Sequence, residues 1–107
     1  MNSENFKMAI RFSENDFSID LIVNGNIKSV EDSTILKDEL AKAISQLKTR
    51  VLNLFIEDSF IITSSVIGNL VKLIQKDKVP LYIFVKNNDL YKLLENMNLI
   101  TVLNIKR

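Results

Sequence analysis

Hydrophobic and polar positions recur along this chain with two periods, one of two residues and one of three to four. The shorter period is typical of strands and the longer one of helices. Strand patterns occupy residues 7–12, 17–23, 50–56, 79–85 and 99–105. The polar turn 13–16 separates the first two patterns, which predicts a β-hairpin. Residues 50–56 are apolar almost throughout, which predicts a strand covered by helices on both faces.

Three helices are predicted between these strands, because apolar residues recur there every three or four positions. The first begins after Ser29, which precedes Asp32 by three residues as in a capping box, and it ends near residue 47. The second begins near Thr63 or Ser64 and ends near residue 75, and the third follows the polar residues 87–89. Their apolar stripes consist of Ile35, Leu36, Leu40, Ala43, Ile44 and Leu47; of Val66, Ile67, Leu70, Val71 and Ile74; and of Leu90, Leu93, Leu94 and Met97.

The resulting order of elements, β-β-α-β-α-β-α-β, defines the fold class. Strands that alternate with helices predict an α/β fold whose sheet is mixed, mostly parallel and covered by helices. The parallel strands are then joined by right-handed crossovers. The chain has 107 residues, the length of one ordinary domain. We therefore expect a single domain over residues 1–107, with its core at about residues 8–105.

Composition excludes several kinds of chemistry. The 14 basic and 13 acidic residues leave a net charge of +1, which does not favour nucleic-acid binding. The chain has no cysteine and no histidine, which excludes thiol nucleophiles, zinc–thiolate sites and histidine acid–base pairs. No glycine-rich phosphate loop occurs, so no cofactor is expected. No apolar run is long enough to cross a membrane, and residues 1–7 do not resemble a signal peptide. The expected location is the cytoplasm.

An enzymatic function would depend on two neighbouring acids, Glu57 and Asp58. They follow the predicted strand 50–56, at the kind of position where open α/β sheets bind ligands. Two carboxylates with a further ligand could hold Mg²⁺. A solvated loop that caps the strand end explains them more simply, and we expect no enzymatic activity.

Two segments around the second predicted helix resemble a known family. Residues 51–54 read V-L-N-L, and residues 60–68 read F-I-I-T-S-S-V-I-G before an amphipathic helix. This arrangement resembles the STAS domain of anti-sigma factor antagonists, which has an apolar strand, a short loop and the sequence D-S-S-G-L-G at a helix start. Residues 23–28 and 90–99 resemble the turn before the family's first helix and its third helix. The resemblance spans about residues 8–105.

The resemblance implies a regulatory protein that acts by binding an anti-sigma factor or a similar serine kinase, without membrane insertion. The first serine of the family's signature is phosphorylated by such a partner, and its position here is Ser64, with Ser65 and Thr63 as alternates. A phosphate in the first turn of a helix meets free N–H groups, so this position is chemically suitable. The implied partner-binding residues are Asn26, Lys28, Ser64, Ser65, Gly68, Asn69 and Lys72.

This chain departs from the signature at three positions. Thr63 replaces an aspartate, Val66 a glycine, and Lys28 the aspartate of the earlier turn. A phosphate here would therefore be partly neutralised by Lys28. Two alternatives remain open: the hydroxyl residues are simple helix caps, and the chain is a STAS scaffold subunit of a larger signalling or transporter-associated complex without a phosphoswitch.

Overall fold

Five strands form one mixed sheet in the computed structural model, which describes residues 7–107. The elements in chain order are β1 (Ala9–Glu14), β2 (Ser18–Asn24), α1 (Val30–Ser45), β3 (Val51–Ile56), α2 (Ser64–Val71), a π-helical turn (Lys72–Lys76), β4 (Leu81–Val85), α3 (Asn88–Asn96) and β5 (Ile105–Lys106). The predicted α/β class and the order of elements are therefore confirmed.

The strands lie in the sheet in the same order as in the chain. β1 pairs antiparallel with β2, as the predicted hairpin requires, and β2, β3, β4 and β5 pair parallel. From β2 to β5, each strand–helix–strand connection leads to the adjacent strand, and all three connections proceed across the sheet in the same direction. Because such crossovers are right-handed, all three helices are carried to the same face of the sheet.

Burial alternates along the strands accordingly. Residues on the helix-covered face, such as Ile19, Leu54 and Ile83, are almost completely buried. On the opposite face Phe55 and Phe84 are half-buried, and their rings stack with centroids 4.7 Å apart. The expectation that residues 50–56 are covered by helices on both faces is therefore wrong. Val51 and Phe55 on this half-buried face, together with the buried residues of the other face, make the strand apolar except at Asn53.

The helix stripes are narrower than predicted. Ser29 caps α1 by accepting a hydrogen bond from the backbone N of Asp32. Three residues of the predicted stripes, Ile35 in α1 together with Leu93 and Met97 at α3, are exposed. A short helix on one face of a sheet contacts it along little more than one row of side chains. No helix within residues 7–107 is long and apolar enough to cross a membrane.

The end of the chain differs most from the prediction. The pattern predicts a strand over residues 99–105, but only Ile105–Lys106 pairs with β4. The preceding residues form helical turns, in which the N of Leu103 donates to the O of Leu99 at 2.9 Å. Asn98 and Asn104 bound this segment with positive φ angles of 60° and 52°, which asparagine tolerates better than most residues. These turns bury Leu103, which gives them an apolar contact that an extended segment would lack.

Leu70 of α2 tests the helix phase, because it is only 1% exposed. Replacement by alanine leaves a cavity under α2, so Leu70→Ala is expected to lower the free energy of unfolding by about 2–5 kcal/mol. Urea denaturation followed by circular dichroism measures this loss. Leu93→Ala at an exposed site is the matched control and should change stability by less than about 0.5 kcal/mol. Equal losses for the two variants would contradict the packing described here.

Candidate functional site

Two loops meet at the carboxyl end of the parallel strands. One connects β2 to α1 and the other connects β3 to α2. Asp58 Oδ1 accepts a hydrogen bond from the backbone N of Gly25 at 2.6 Å, and Ser59 Oγ donates to the O of Gly25 at 2.5 Å. Asn26 Oδ1 accepts from the backbone N of Phe60 at 2.9 Å. These bonds hold the two loops together, and with them the starts of α1 and α2.

Gly25 is required at this junction for two reasons. Its φ angle is +86°, a conformation in which other residues are strained. A Cβ atom built on it would lie 2.7 Å from the backbone O of Lys7. The glycine that ends β2 in the sequence therefore allows both the turn and the close passage of the chain.

The acidic pair next to β3 has structural partners. Asp58 accepts the bond from Gly25, while Glu57 Oε1 lies 3.6 Å from Nζ of Lys86. Within residues 7–107, no three acidic side chains are grouped so that they could hold a metal ion. The two neighbouring carboxylates are thus used in different contacts, one in the loop and one at the end of β4.

A chain of hydroxyl groups connects the two helix starts. Thr63 Oγ1 accepts from the backbone N of Val66 and so caps α2. It lies 2.7 Å from Oγ of Ser33, which donates to the backbone O of Ser29. A hydroxyl has one hydrogen, and that of Ser33 is used towards Ser29, so Thr63 donates to Ser33. Thr63 therefore holds its own helix and ties it to α1.

A cavity of about 190 Å³ opens between the starts of α1 and α2. It is lined by Lys28, Ser29, Val30, Ser33, Thr34, Lys37, Thr63 and Ser65. The lining contains two lysines and five hydroxyl side chains. The two ammonium groups suit an anionic group. The hydroxyl hydrogens of Ser33, Thr34 and Thr63 are already donated within the protein.

The two adjacent serines of α2 have different surroundings. Both are exposed. Ser65 lines the cavity, and its Oγ accepts a hydrogen bond from Nζ of Lys37 at 2.5 Å. Ser64 is not among the lining residues, and no side-chain hydrogen bond of Ser64 is found in the described part of the chain. Both the predicted phosphoacceptor Ser64 and the alternate Ser65 are thus accessible, and Ser65 in addition contacts a lysine.

The other predicted partner-binding residues fall into two groups. Lys28 is exposed at the cavity, and Gly68 is exposed on α2, where an added Cβ atom would meet none of the neighbouring described residues within 4 Å. Asn26 and Asn69 are half-buried, and the Asn26 side chain is used to hold the β3–α2 loop. The ammonium group of Lys72 forms an ion pair with a carboxylate oxygen 3.1 Å away in the following turn. Lys28, Gly68 and Lys72 are therefore exposed, and Lys72 is in addition ion-paired within its own segment.

Sequence reasoning misses two features of this region. The first is the position of Lys37 at the cavity. Lys37 lies outside the predicted apolar stripe of α1 and is therefore expected to face solvent. However, Ser29, Ser33 and Lys37 recur every four residues and so share one helix face. The second feature is apolar: Val30 is 85% exposed and Phe60 is 55% exposed. Large apolar residues in a polar loop before a helix are the signal that could have revealed it.

Comparison with protein-family models finds no match for this chain, and comparison with curated proteins finds none either. The function is therefore inferred from the geometry of the site and from the sequence resemblance.

The hydroxyl chain predicts a measurable coupling between α1 and α2. Thr63→Val removes a cap and a partly buried hydrogen bond, so it should cost about 1–3 kcal/mol of unfolding free energy. Ser33→Ala should cost a similar amount, and the double variant should lose less than the sum because the two residues share one bond. Urea denaturation of the three variants gives the coupling.

Thr34→Val is the matched control for this cycle. Thr34 is exposed, and its hydroxyl bonds only to the backbone O of Val30 within its own helix, among the residues that the structure describes. It should change stability by less than about 0.5 kcal/mol. Strict additivity of Thr63→Val and Ser33→Ala would show that the hydroxyl groups do not connect the helices.

Proposed function

We propose that this chain is a non-enzymatic regulatory domain of the STAS type, which binds a protein partner through the surface around the starts of α1 and α2. The observation that carries the proposal is the coincidence of exposed apolar side chains with a cavity lined by lysine and hydroxyl residues at this surface. We call this region, formed by Val30, Phe60, Ile61, Ser64 and the cavity, the loop surface.

The apolar residues of the loop surface favour a protein as the ligand. Val30 and Phe60 expose large side chains to solvent, and Phe60 is held in a loop fixed by hydrogen bonds to Asn26. Fixed loops lose little conformational entropy when a partner covers them. Apolar side chains rimmed by polar groups are typical of interaction sites. The polar rim here consists of Ser64 and the cavity residues.

The exposed hydroxyl of Ser64 supports a switch at the same surface. Phosphorylation would add nearly two negative charges to a group that a partner must cover. Burying such a charge without a counter-charge costs several kcal/mol, so the modified form would bind more weakly. Ser64 occupies the position that the resemblance assigns to the phosphoacceptor, and its exposure makes it accessible to a kinase.

The proposed partner is an anti-sigma factor or a similar serine kinase, and the proposed location is the cytoplasm. This identification rests on the sequence resemblance around residues 51–68 and on the order of elements. The hairpin and the alternation of strands and helices support it, because the resemblance implies the same order of elements along the chain.

A second candidate function is a STAS scaffold subunit that binds without a phosphoswitch. It is favoured by the lysines, since Lys28 and Lys37 both line the cavity next to the hydroxyl groups. Positive charge at this surface would reduce the effect of a phosphate on a partner. The two functions differ in whether charge at Ser64 controls binding.

Ser64→Asp distinguishes the two functions. It should weaken binding of an anti-sigma factor kinase from the same genome by tenfold or more, about 1.4 kcal/mol or above, in titration calorimetry. Stability should hold, because a carboxylate in the first turn of a helix is favourable by about 0.3–1 kcal/mol.

Thr49→Asp is the control for added charge, because Thr49 is exposed in the turn before β3, at the opposite edge of the sheet. It should leave affinity unchanged. If Ser64→Asp binds as tightly as Thr49→Asp, the phosphoswitch is refuted and the scaffold function is favoured.

Phe60→Ala tests the loop surface independently of charge. Truncation of an exposed aromatic residue at the centre of an interface typically costs more than about 1 kcal/mol of binding energy. Affinity for the partner should therefore fall at least about fivefold, while the folded state remains intact by circular dichroism. Phe17→Ala, at an exposed phenylalanine before β2, is the matched control. Equal affinities of both variants and wild type would exclude Phe60 from the interface.

A further inference from the structure

We propose that a phosphoryl group on Ser65 is held inside the cavity between α1 and α2 by Lys37 and Lys28, so that Ser65 is the hydroxyl of the loop surface built to carry a phosphate. The inference rests on the proposed function in one respect, namely that a kinase modifies this surface. It differs from the resemblance, which places the modification on Ser64.

The contact between Lys37 and Ser65 is the first observation. Nζ of Lys37 lies 2.5 Å from Oγ of Ser65, across the boundary between α1 and α2. A phosphoryl group attached to that oxygen would therefore be within reach of the ammonium group without a change of backbone. Lysine binds phosphate as a point charge and does not need a fixed orientation.

The space next to Ser65 is the second observation. The cavity measures about 190 Å³, far more than the roughly 10–15 Å³ that a single water needs. Ser65 lines it and Ser64 does not. A phosphate on Ser65 has room beside its attachment point, whereas one on Ser64 would extend into solvent.

The charges around the cavity are the third observation. Lys28 and Lys37 both line it, and no acidic residue is among its lining residues within the described chain. The acidic groups of the first turn of α1 are Glu31 and Asp32, and Asp32 Oδ2 accepts a hydrogen bond from the backbone N of Lys28. Lys28 and Lys37 thus place two positive charges at the cavity, and the two acids of α1's first turn are not among its lining residues.

The chemical step is an ordinary phosphoryl transfer from ATP bound to the partner kinase. Oγ of Ser65 forms a bond to the γ-phosphorus, the bond from that phosphorus to the ADP oxygen breaks, and the hydroxyl proton passes to a base of the kinase. Lys37 then changes from a donor to a hydroxyl into the counter-ion of a phosphate. A phosphate on Ser65 would connect α2 to α1 through its ion pair with Lys37, and it would place less charge on a docking partner than phosphorylation at Ser64.

The test compares two full-length proteins that carry phosphoserine at position 65 or at position 64, each installed during translation. The pKa of each phosphate is measured by ³¹P NMR titration; the ordinary second pKa of phosphoserine is about 6. Nearby lysines favour the dianion, so the phosphate at position 65 should titrate at least about half a pH unit below that at position 64. Lys37→Met, which keeps an unbranched side chain, should remove most of this difference.

Three outcomes decide the inference. A lower pKa at position 65 that depends on Lys37 supports it. Equal pKa values at the two positions overturn it, and so does a difference that survives both Lys37→Met and Lys28→Met. Binding of the kinase to the unmodified protein is measured separately, and its absence would refute the proposed function while leaving the inference, which the pKa values decide, intact.

Discussion

The contact between the β2–α1 and β3–α2 loops is the interaction on which the candidate site depends. The backbone N of Gly25 donates a hydrogen bond to Asp58, and the backbone O of Gly25 accepts one from Ser59. No side chain larger than hydrogen fits there, because the chain near Lys7 passes too close. The starts of α1 and α2 are consequently fixed next to each other. The cavity, the hydroxyl chain from Thr63 to Ser29 and the exposed apolar loop all follow from that position.

The hydroxyl chain and the cavity belong to one arrangement. Thr63 and Ser33 bring the two helix starts into contact, and Lys37 and Ser65 then meet across the gap beside them. A phosphate in this gap would lie next to the ammonium group of Lys37, which would neutralise part of its charge at the surface that a partner contacts. The proposed function and the further inference therefore concern one surface, on which Ser64 and Ser65 are both exposed and Ser65 contacts Lys37 of α1.

The sheet imposes a second constraint on where function can lie. Because the strands follow one another in chain order, the helices cover one face only. The carboxyl ends of β2, β3 and β4 lie at one edge, and the loops there carry the site. The other face, with the stacked pair Phe55 and Phe84, is half-buried and carries the bonds from Ser18 and Asn53 to Asp20. Phe55 stacks on Phe84 of the neighbouring strand, so β3 carries apolar residues on both faces although helices cover only one.

The sequence by itself determined the elements that depend on local pattern: the hairpin, the three helices, the parallel strands and the caps at Ser29 and Thr63. It also singled out the serines at the start of α2. It did not determine which face of a strand is covered, that residues 99–104 turn to bury Leu103, or that Lys37 meets Ser65 rather than solvent. Periodicity reports the local conformation and the apolar face of one segment. The contact between residues 28 positions apart is decided by how the loops hold two helices together, which no single segment encodes.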